Sequence, residues 1–271
     1  MHAEKSRTLV PRLDWLAEAG STNSVLVAHA GGPDAAGWPD LSVVVTDNQT
    51  AGRGRLGRVW SAPAGASLAI SLLLRPALPS GAPLPVSSLG WIPLIGGAAM
   101  ASAANTVLAG AATASVKWPN DVLIDGRKVS GVLSELLAGP NGAPAGVVVG
   151  AGVNLFLTAE QLPVATATSL ALAGATGFGA DDVLAAYLGA IIPLYRAFVA
   201  ANGDAAASGV AAAVTALCGT LGQSVRVELP TGETVVGRAS ALDSDGRLVV
   251  TRDDGQGTLV VSAGDVTHLR Y

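Results

Sequence analysis

Residues 115–137 read SVKWPNDVLIDGRKVSGVLSELL, and they carry the signals for three consecutive strands. Three short apolar runs alternate with two turn signals, Pro119-Asn120-Asp121 and Asp125-Gly126. Proline stops the first run, and Asp-Gly between alternating apolar residues is typical of a two-residue hairpin turn. The stretch therefore predicts a strand over Ser115–Trp118, followed by a hairpin of Val122–Ile124 and Lys128–Leu137.

The flanking sequence supplies the rest of a mixed sheet and the helices that cover it. β-branched and apolar runs predict further strands over Ser42–Asp47, Ala66–Leu74 and Gly146–Leu155, with a turn at Gly139–Gly142. Helices are predicted after the N-cap signal Ser21-Thr22-Asn23, and over Gly90–Leu108, Asp181–Ala200 and Asp204–Leu217. We therefore predict an α+β fold, in which helices pack on a mixed β-sheet.

The sequence pattern changes at about Leu221, from long apolar segments to short β-branched runs. Short β-branched runs are separated by turn signals such as Asp243-Ser244-Asp245-Gly246, and they predict four or five strands within about fifty residues. These strands are predicted over Ser224–Leu229, Val235–Ala239, Leu248–Thr251 and Thr258–Ser262. The expected organisation is a large domain over residues 1–219 and a small β-barrel over residues 220–271.

Composition limits the function classes. The 271 residues are 50% hydrophobic and 13% charged, which excludes a disordered chain, and the net charge of −4 argues against generic nucleic-acid binding. The single cysteine, Cys218, excludes an internal disulfide and is expected to be a buried structural thiol. No signal peptide is apparent at the N-terminus, so a cytoplasmic protein is expected.

A run without any charged residue extends from Arg75 to Lys117. Its 41 residues are long enough for a membrane-spanning helix, but five prolines interrupt it and much of the remainder is small or polar. We therefore expect a buried helix over Gly90–Leu108 rather than a membrane anchor.

The most charge-dense segment is Gly52-Arg53-Gly54-Arg55-Leu56-Gly57-Arg58. Glycine lets backbone N–H groups approach a ligand closely, and arginine supplies a permanent charge with a planar donor fork for carboxylate or phosphate. The pattern indicates a flexible loop that closes over an anion. It does not by itself indicate which anion.

Three further segments carry candidate chemistry. Pro119 would present Asn120 and Asp121 together at a strand end, Lys128 opens a strand after a turn, and Gly131 within that strand indicates a close neighbour. Residues 150–154 (GAGVN) place glycines and an asparagine in an apolar strand. Taken singly, each segment is also compatible with an ordinary turn, a surface lysine or a glycine-containing central strand.

Taken together, GRGRLGRVW (52–60), KWPND (117–121), GRKVSGVLSE (126–135) and GAGVN (150–154) resemble biotin–protein ligases in order and spacing. Ser21-Thr22-Asn23 and Gln49 match the same family. The resemblance implies a class II synthetase-like biotin/lipoate ligase domain followed by a small SH3-like barrel. It implies that biotin and ATP form biotinyl-5′-AMP and pyrophosphate, and that a lysine of an acceptor protein then takes the biotin and releases AMP.

The resemblance also implies roles for individual residues. The catalytic residues would be Lys128, Arg55 and Asp121. The biotin-binding residues would be Ser21, Thr22, Asn23, Gln49, Arg53, Gly54, Arg55 and Lys128. The nucleotide-binding residues would be Arg53, Arg55, Arg58, Trp60, Lys117, Asn120, Lys128 and Asn154. Mg²⁺ is expected with ATP; the sequence does not fix its ligand, for which Asp121 is the candidate.

The implied partner is the biotin carboxyl carrier domain of an acyl-CoA or pyruvate carboxylase. Some members of the family carry an N-terminal DNA-binding domain, but only twenty residues precede Ser21, so a monofunctional enzyme without nucleic-acid or membrane binding is expected, as a monomer or homodimer. Two alternatives remain at this point: a lipoate or octanoate ligase or transferase of the same fold, and a non-catalytic regulator that binds biotin or nucleotide.

Overall fold

The computed structural model describes residues 3–77, 83–139, 144–229, 231–262 and 265–269. Its helices are α1 (Glu4–Arg7), α2 (Thr22–Gly31), α3 (Trp91–Leu108), α4 (Ala180–Ala200) and α5 (Val210–Leu217). Its strands are β1 (Leu13–Trp15), β2 (Val43–Thr46), β3 (Gly52–Arg53), β4 (Val59–Trp60), β5 (Ser67–Leu74), β6 (Ala114–Lys117), β7 (Asp121–Ile124), β8 (Arg127–Ala138), β9 (Pro144–Asn154), β10 (Ser224–Glu228), β11 (Thr234–Leu242), β12 (Leu248–Arg252), β13 (Thr258–Val261) and β14 (Asp265–His268).

The main sheet has seven strands in the order β1-β2-β5-β9-β8-β7-β6. The β1–β2 pair is parallel and the other pairs are antiparallel, which confirms the predicted mixed sheet. The predicted hairpin of β7 and β8 is also confirmed. Its turn has Asp125 at φ 49° and Gly126 at φ 76°, the two positive values that a type I′ turn requires.

Alternate residues of the central strands face opposite layers of helices. Val43, Val45 and Leu72 belong to the large core that includes α3 and α4, whereas Val44 and Leu73 belong to a smaller core beneath α2. The sheet is therefore buried on both faces, and its central strands are almost continuously apolar for that reason.

Helix α3 confirms the helix predicted in the uncharged run. Val86–Leu108 and Ala180–Ala200 are both long and apolar enough to cross a membrane by length and composition. In the structure 67% of the most apolar window of the first is buried, and α3 packs against α4 and the main sheet. Both helices are thus accounted for as core helices of this fold.

The C-terminal strands form one antiparallel sheet in the order β13-β12-β11-β10-β14, which is consistent with an SH3-like domain. The closed barrel predicted from the sequence is wrong. In the described part of the chain the edge strands β13 and β14, of four residues each, do not pair with each other, so the hydrogen-bonded ladder does not return to its start.

One predicted helix is shorter than expected. Instead of beginning at Asp204, α5 begins at Val210, because the Asp204 carboxylate accepts bonds of 2.9 Å from the backbone N–H groups of Ala206 and Ala207 and stabilises a turn. Gly209, at φ 76°, then reverses the chain before the helix. The turn predicted at Gly139–Gly142 lies mostly outside the described residues.

Two buried tryptophans, one at the start of α3 and one directly after β6, bind the turn between β11 and β12 of the C-terminal sheet. The indole of Trp91 donates to the carbonyl of Ser244 at 2.8 Å, and that of Trp118 donates to the carbonyl of Gly246 at 3.1 Å. The backbone N–H of Trp118 also donates to Thr220 Oγ1 at 2.9 Å. These hydrogen bonds join residues before position 219 to residues after it. The domain boundary at 219/220 stays a prediction.

Candidate active site

A cavity of about 500 Å³ lies on the α2 side of the main sheet, beyond the N-terminus of that helix. Every site residue predicted from the sequence lines it, although these residues come from six separate segments of the chain. They are Ser21, Thr22, Asn23, Gln49, Arg53, Gly54, Arg55, Arg58, Trp60, Lys117, Asn120, Asp121, Lys128 and Asn154. The structure therefore brings together what the sequence presents as scattered motifs.

The floor of the cavity is bare backbone where β9 carries glycine. A Cβ at Gly150 would clash with the amide of Asn23, whose Cγ would lie 2.8 Å away. A Cβ at Gly152 would lie 2.7–3.0 Å from the indole ring of Trp60. Because glycine has no Cβ at these two positions, the side chains of Asn23 and Trp60 can lie directly on the sheet. A Cβ at either position would push them to normal packing distance.

An ion pair stands at the centre of the cavity. Lys128 Nζ lies 2.5 Å from Asp121 Oδ1, and the two side chains are 36% and 22% exposed. The backbone of Lys128 is fixed by bonds with Thr166 and Thr168. The predicted close neighbour of Gly131 is Lys128 itself, whose Nζ would lie 3.1 Å from a Cβ there.

The N-terminus of α2 forms one wall. Ser21 is the N-cap, as predicted, and its hydroxyl accepts from the backbone N–H of Ser24. The backbone N–H of Thr22 donates to Gln49 Oε1 at 2.9 Å. Asn23 is only 5% exposed, and its Oδ1 accepts from Ser71 Oγ at 2.6 Å. This wall presents hydroxyl and amide groups that are already held in place.

The Gly/Arg loop covers the cavity, and each of its arginines binds a different element. Arg53 pairs with Glu135 of β8 at 3.2 Å. Arg55 Nη1 donates to Asn120 Oδ1 at 2.9 Å, and Arg58 pairs with Asp265 of the C-terminal sheet. Leu56, at the tip, has φ 57° and a side chain that is largely exposed. The loop is thus anchored by its arginines around an open tip.

Three parts of the site were not predicted from the sequence. Ser71 lies on a strand whose predicted role was structural, Glu135 ends the motif 126–135 without a predicted role, and Asp265 comes from the far end of the chain. A polar residue in the middle of the apolar run SLAISLLL (67–74) was the available signal for Ser71. Nothing in the sequence indicates that Asp265–Thr267 reach the cavity, because this contact depends on the packing of the two sheets.

The described residues do not contain a cluster of three or more His, Cys, Asp or Glu side chains that could hold a metal ion. The Asp121 carboxylate, which the sequence made the candidate for Mg²⁺, is already engaged by Lys128. Mg²⁺ is usually bound by one or two carboxylates together with substrate phosphates, whereas the Asp121 carboxylate is paired with an ammonium group. The residues present therefore do not fit a protein-held Mg²⁺ at Asp121.

Cys218 lies outside the cavity lining, on the segment that bridges to Val116 of β6. It is 6% exposed, and burial raises the pKa of its thiol. The expectation of a buried structural cysteine is confirmed.

Comparison with known proteins matches both parts of the chain to ligase domains. Residues 23–154 match the Biotin/lipoate A/B protein ligase family, and residues 220–269 match the Biotin protein ligase C terminal domain. The biotin--[acetyl-CoA-carboxylase] ligase of Mycobacterium tuberculosis is 38% identical over 96% of this chain and 90% of its own length. The protein of the same name from Paracoccus denitrificans is 30% identical over 93% and 98%.

Among solved structures, the biotin protein ligase from Aquifex aeolicus in complex with biotin and ATP superposes with a TM-score of 0.72. It is 26% identical and covers 96% of this chain and 100% of its own. The similarity therefore extends over both sheets, and this chain belongs to the biotin protein ligase family.

Proposed function

We propose that this chain is an ATP-dependent biotin–protein ligase that acts on the biotin carboxyl carrier domain of a carboxylase. The observation that carries the proposal is the cavity that all fourteen predicted site residues line, together with the Lys128–Asp121 pair among them. Relatives that align over nearly their whole length bear the name of this activity.

In the first step, a biotin carboxylate oxygen attacks the α-phosphorus of ATP, the bond to the bridging oxygen breaks, and pyrophosphate leaves. Both reactants are anions, so their approach needs cations that are in place before the reaction. Arg53, Arg55 and Lys128 line the cavity and supply three permanent or near-permanent positive charges. We assign Lys128 to the reacting oxygens, and Arg53 and Arg55 to the clamp that retains the adenylate.

The polar wall at the N-terminus of α2 suits the uncharged head group of biotin. Ser21, Thr22, Asn23 and Gln49 present hydroxyl and amide groups there, and Gly54 lies opposite them in the loop. The nucleotide would lie toward Arg58, Trp60, Lys117, Asn120 and Asn154, which also line the cavity.

In the second step, the amine of the acceptor lysine attacks the carbonyl carbon of the mixed anhydride, and AMP leaves. A free lysine has a pKa of about 10.4, so at pH 7 roughly one amine in 2,500 is neutral. We propose that Asp121 orients the incoming amine and accepts its proton. Its partner Lys128 holds the carboxylate at the reacting centre.

Mg²⁺ is proposed to arrive on the phosphates of ATP, which is how the ion usually enters nucleotide sites. Since Asp121 is engaged by Lys128, we assign that carboxylate to the lysine pair and to the amine, and no catalytic step is assigned to the ion. Cytoplasmic location and the absence of nucleic-acid binding complete the proposal; the net charge of −4 supports the latter.

Pyrophosphate exchange tests the proposal. The protein is incubated with ATP and labelled pyrophosphate, together with biotin, with lipoate or with neither acid. We expect pyrophosphate exchange only in the reaction that contains biotin. Exchange supported by lipoate would instead indicate the lipoate-activating alternative, and binding of biotin without exchange would indicate a non-catalytic regulator.

A further inference from the structure

A carboxylate that the proposed reaction does not use contacts two residues of the cavity lining, Asn23 and Arg53. Glu135 lies in the middle of β8 with its side chain 28% exposed. One oxygen accepts from Asn23 Nδ2 at 2.6 Å. Both oxygens accept from Arg53 Nη2, at 3.2 and 3.3 Å. An anion facing a site for two anionic substrates is unfavourable unless it serves another purpose.

Its first contact, together with one from the backbone of β8, determines which way the Asn23 amide points. A carboxylate can only accept hydrogen bonds, so Glu135 requires the NH₂ group of Asn23 on its side. The carbonyl of Leu133, at 3.1 Å, accepts from the same NH₂ group. Asn23 Oδ1 therefore faces Ser71, whose hydroxyl donates to it at 2.6 Å. Without these acceptors, either orientation of the amide would be open.

Its second contact positions the loop. Arg53 Nη2 also donates to Ser24 Oγ at 3.0 Å, so the guanidinium is held between β8 and the first turn of α2. Arg53 is 51% exposed, and an ion pair between exposed side chains contributes little to stability because water screens it. A substrate anion can therefore displace Glu135 and bind the Arg53 guanidinium in its place.

We infer that Glu135 is a positioning residue of the biotin site: it strengthens the orientation of Asn23 that the Leu133 carbonyl also favours, and it holds Arg53 beside α2 until a substrate anion arrives. This inference rests on the proposed function. Glu135 touches neither reacting atom, and it links the rigid wall of the cavity to its movable cover through two side chains.

Two variants separate the two contacts. Glu135→Ala removes both, and biotin KM should rise about tenfold to one hundredfold, as expected for a lost hydrogen bond to a charged group, while ATP KM stays within about twofold. Glu135→Gln keeps an acceptor for Asn23 and should restore most of the biotin KM. It removes the charge that holds Arg53, so amide exchange in residues 52–60 of the ligand-free protein should rise by about twofold to fivefold.

Asp254→Asn is the matched control, because it removes a carboxylate that pairs with Arg252 at 2.8 Å on the C-terminal sheet. It should change neither biotin KM nor exchange in the loop. Biotin KM unchanged in Glu135→Ala, or loop exchange unchanged in Glu135→Gln, would overturn the inference. If Glu135→Ala does not fold, the exchange measurement on Glu135→Gln decides. Lack of biotin-dependent exchange in the wild-type protein would instead refute the proposed function.

Discussion

At Gly150, the absence of one carbon atom decides whether Asn23 can lie on the sheet. The Asn23 amide occupies the space where a Cβ would be, and it is held there by Ser71 and Glu135. A substitution at this position acts on the site through the geometry of a neighbour. We therefore expect the glycine to influence binding, although it has no side chain to bind with.

Gly150→Ala should raise biotin KM by tenfold or more, because Asn23 must move by roughly 1 Å to reach normal packing distance and loses its bonds to Ser71 and Glu135. Steady-state pyrophosphate release measures this. Gly189→Ala is the control: a Cβ at Gly189 in α4 meets nothing within 4 Å, so that variant should be neutral or more stable by up to about 1 kcal/mol. An equal KM in the two variants would contradict the prediction.

Asp121→Asn should slow biotin transfer by about 10²–10⁴-fold, the usual contribution of a general base. Single-turnover reaction of preformed biotinyl-5′-AMP with an acceptor domain isolates this step. Transfer by the variant should increase with pH more steeply than in the wild type, since the neutral fraction of the acceptor amine rises tenfold per pH unit below about 10.4.

The neighbouring turn provides the control for that experiment. Asp125→Asn removes a carboxylate four residues away, at a position with φ 49° that asparagine also adopts readily. Its transfer rate should equal that of the wild type. A wild-type transfer rate in Asp121→Asn would rule out Asp121 as the proton acceptor.

The Gly/Arg loop is the element on which the site depends most. Three arginines connect it to β8, to the turn before β7 and to the C-terminal sheet, while its tip projects outward. A cover held only by exposed or half-exposed polar contacts opens more readily than the packed sheet below it. The loop can therefore admit substrates without disturbing the floor of the cavity.

Hydrogen exchange of residues 50–60 should slow when biotin and ATP are added together, since the adenylate brings the anions that the arginines face. The β5–β9 pair of the main sheet, whose backbone is already buried, should show little change and serves as the internal reference. Equal exchange of the loop in both states would show that the adenylate does not order it.

Local patterns were sufficient to predict the hairpin, the N-cap at Ser21 and the buried helix α3, because each depends on neighbours in sequence. The cavity-lining residues were predicted through motif order. Glu135 and Ser71 were not, because their contacts with Asn23 arise from strand pairing and helix placement. Closure of the C-terminal sheet was predicted wrongly, because strand count does not determine whether edge strands meet.

In the whole molecule, the C-terminal sheet contributes residues to the cavity and also packs against the large domain beside it. Asp265, Val266 and Thr267 line the cavity from the C-terminal side, and Arg58 reaches across to Asp265. Trp118, adjacent to the site residues Lys117 and Asn120, is also a donor to the C-terminal sheet. The position of the C-terminal sheet is therefore coupled to the shape of the active site.

Trp118→Phe should lower the free energy of unfolding by about 1–3 kcal/mol, because the buried carbonyl of Gly246 loses its donor. Urea denaturation measures the change. Trp15→Phe, in the partly buried edge strand β1, is the control and should have the smaller effect. A larger loss of stability at Trp15 than at Trp118 would contradict the structural role assigned to this interface.

The two indoles at that interface donate to main-chain carbonyls, at Ser244 and Gly246, and not to side chains. The contact between the large domain and the C-terminal sheet consequently depends on the backbone path of the turn between β11 and β12. It depends little on which side chains that turn carries. Residue 244 can be exchanged as long as position 246 remains glycine, because φ there is 77° and a Cβ would lie 2.9 Å from Leu94 and 3.3 Å from Trp91. The side chain at position 244 can thus vary, whereas the length and path of the turn must be kept so that both indoles reach their acceptors.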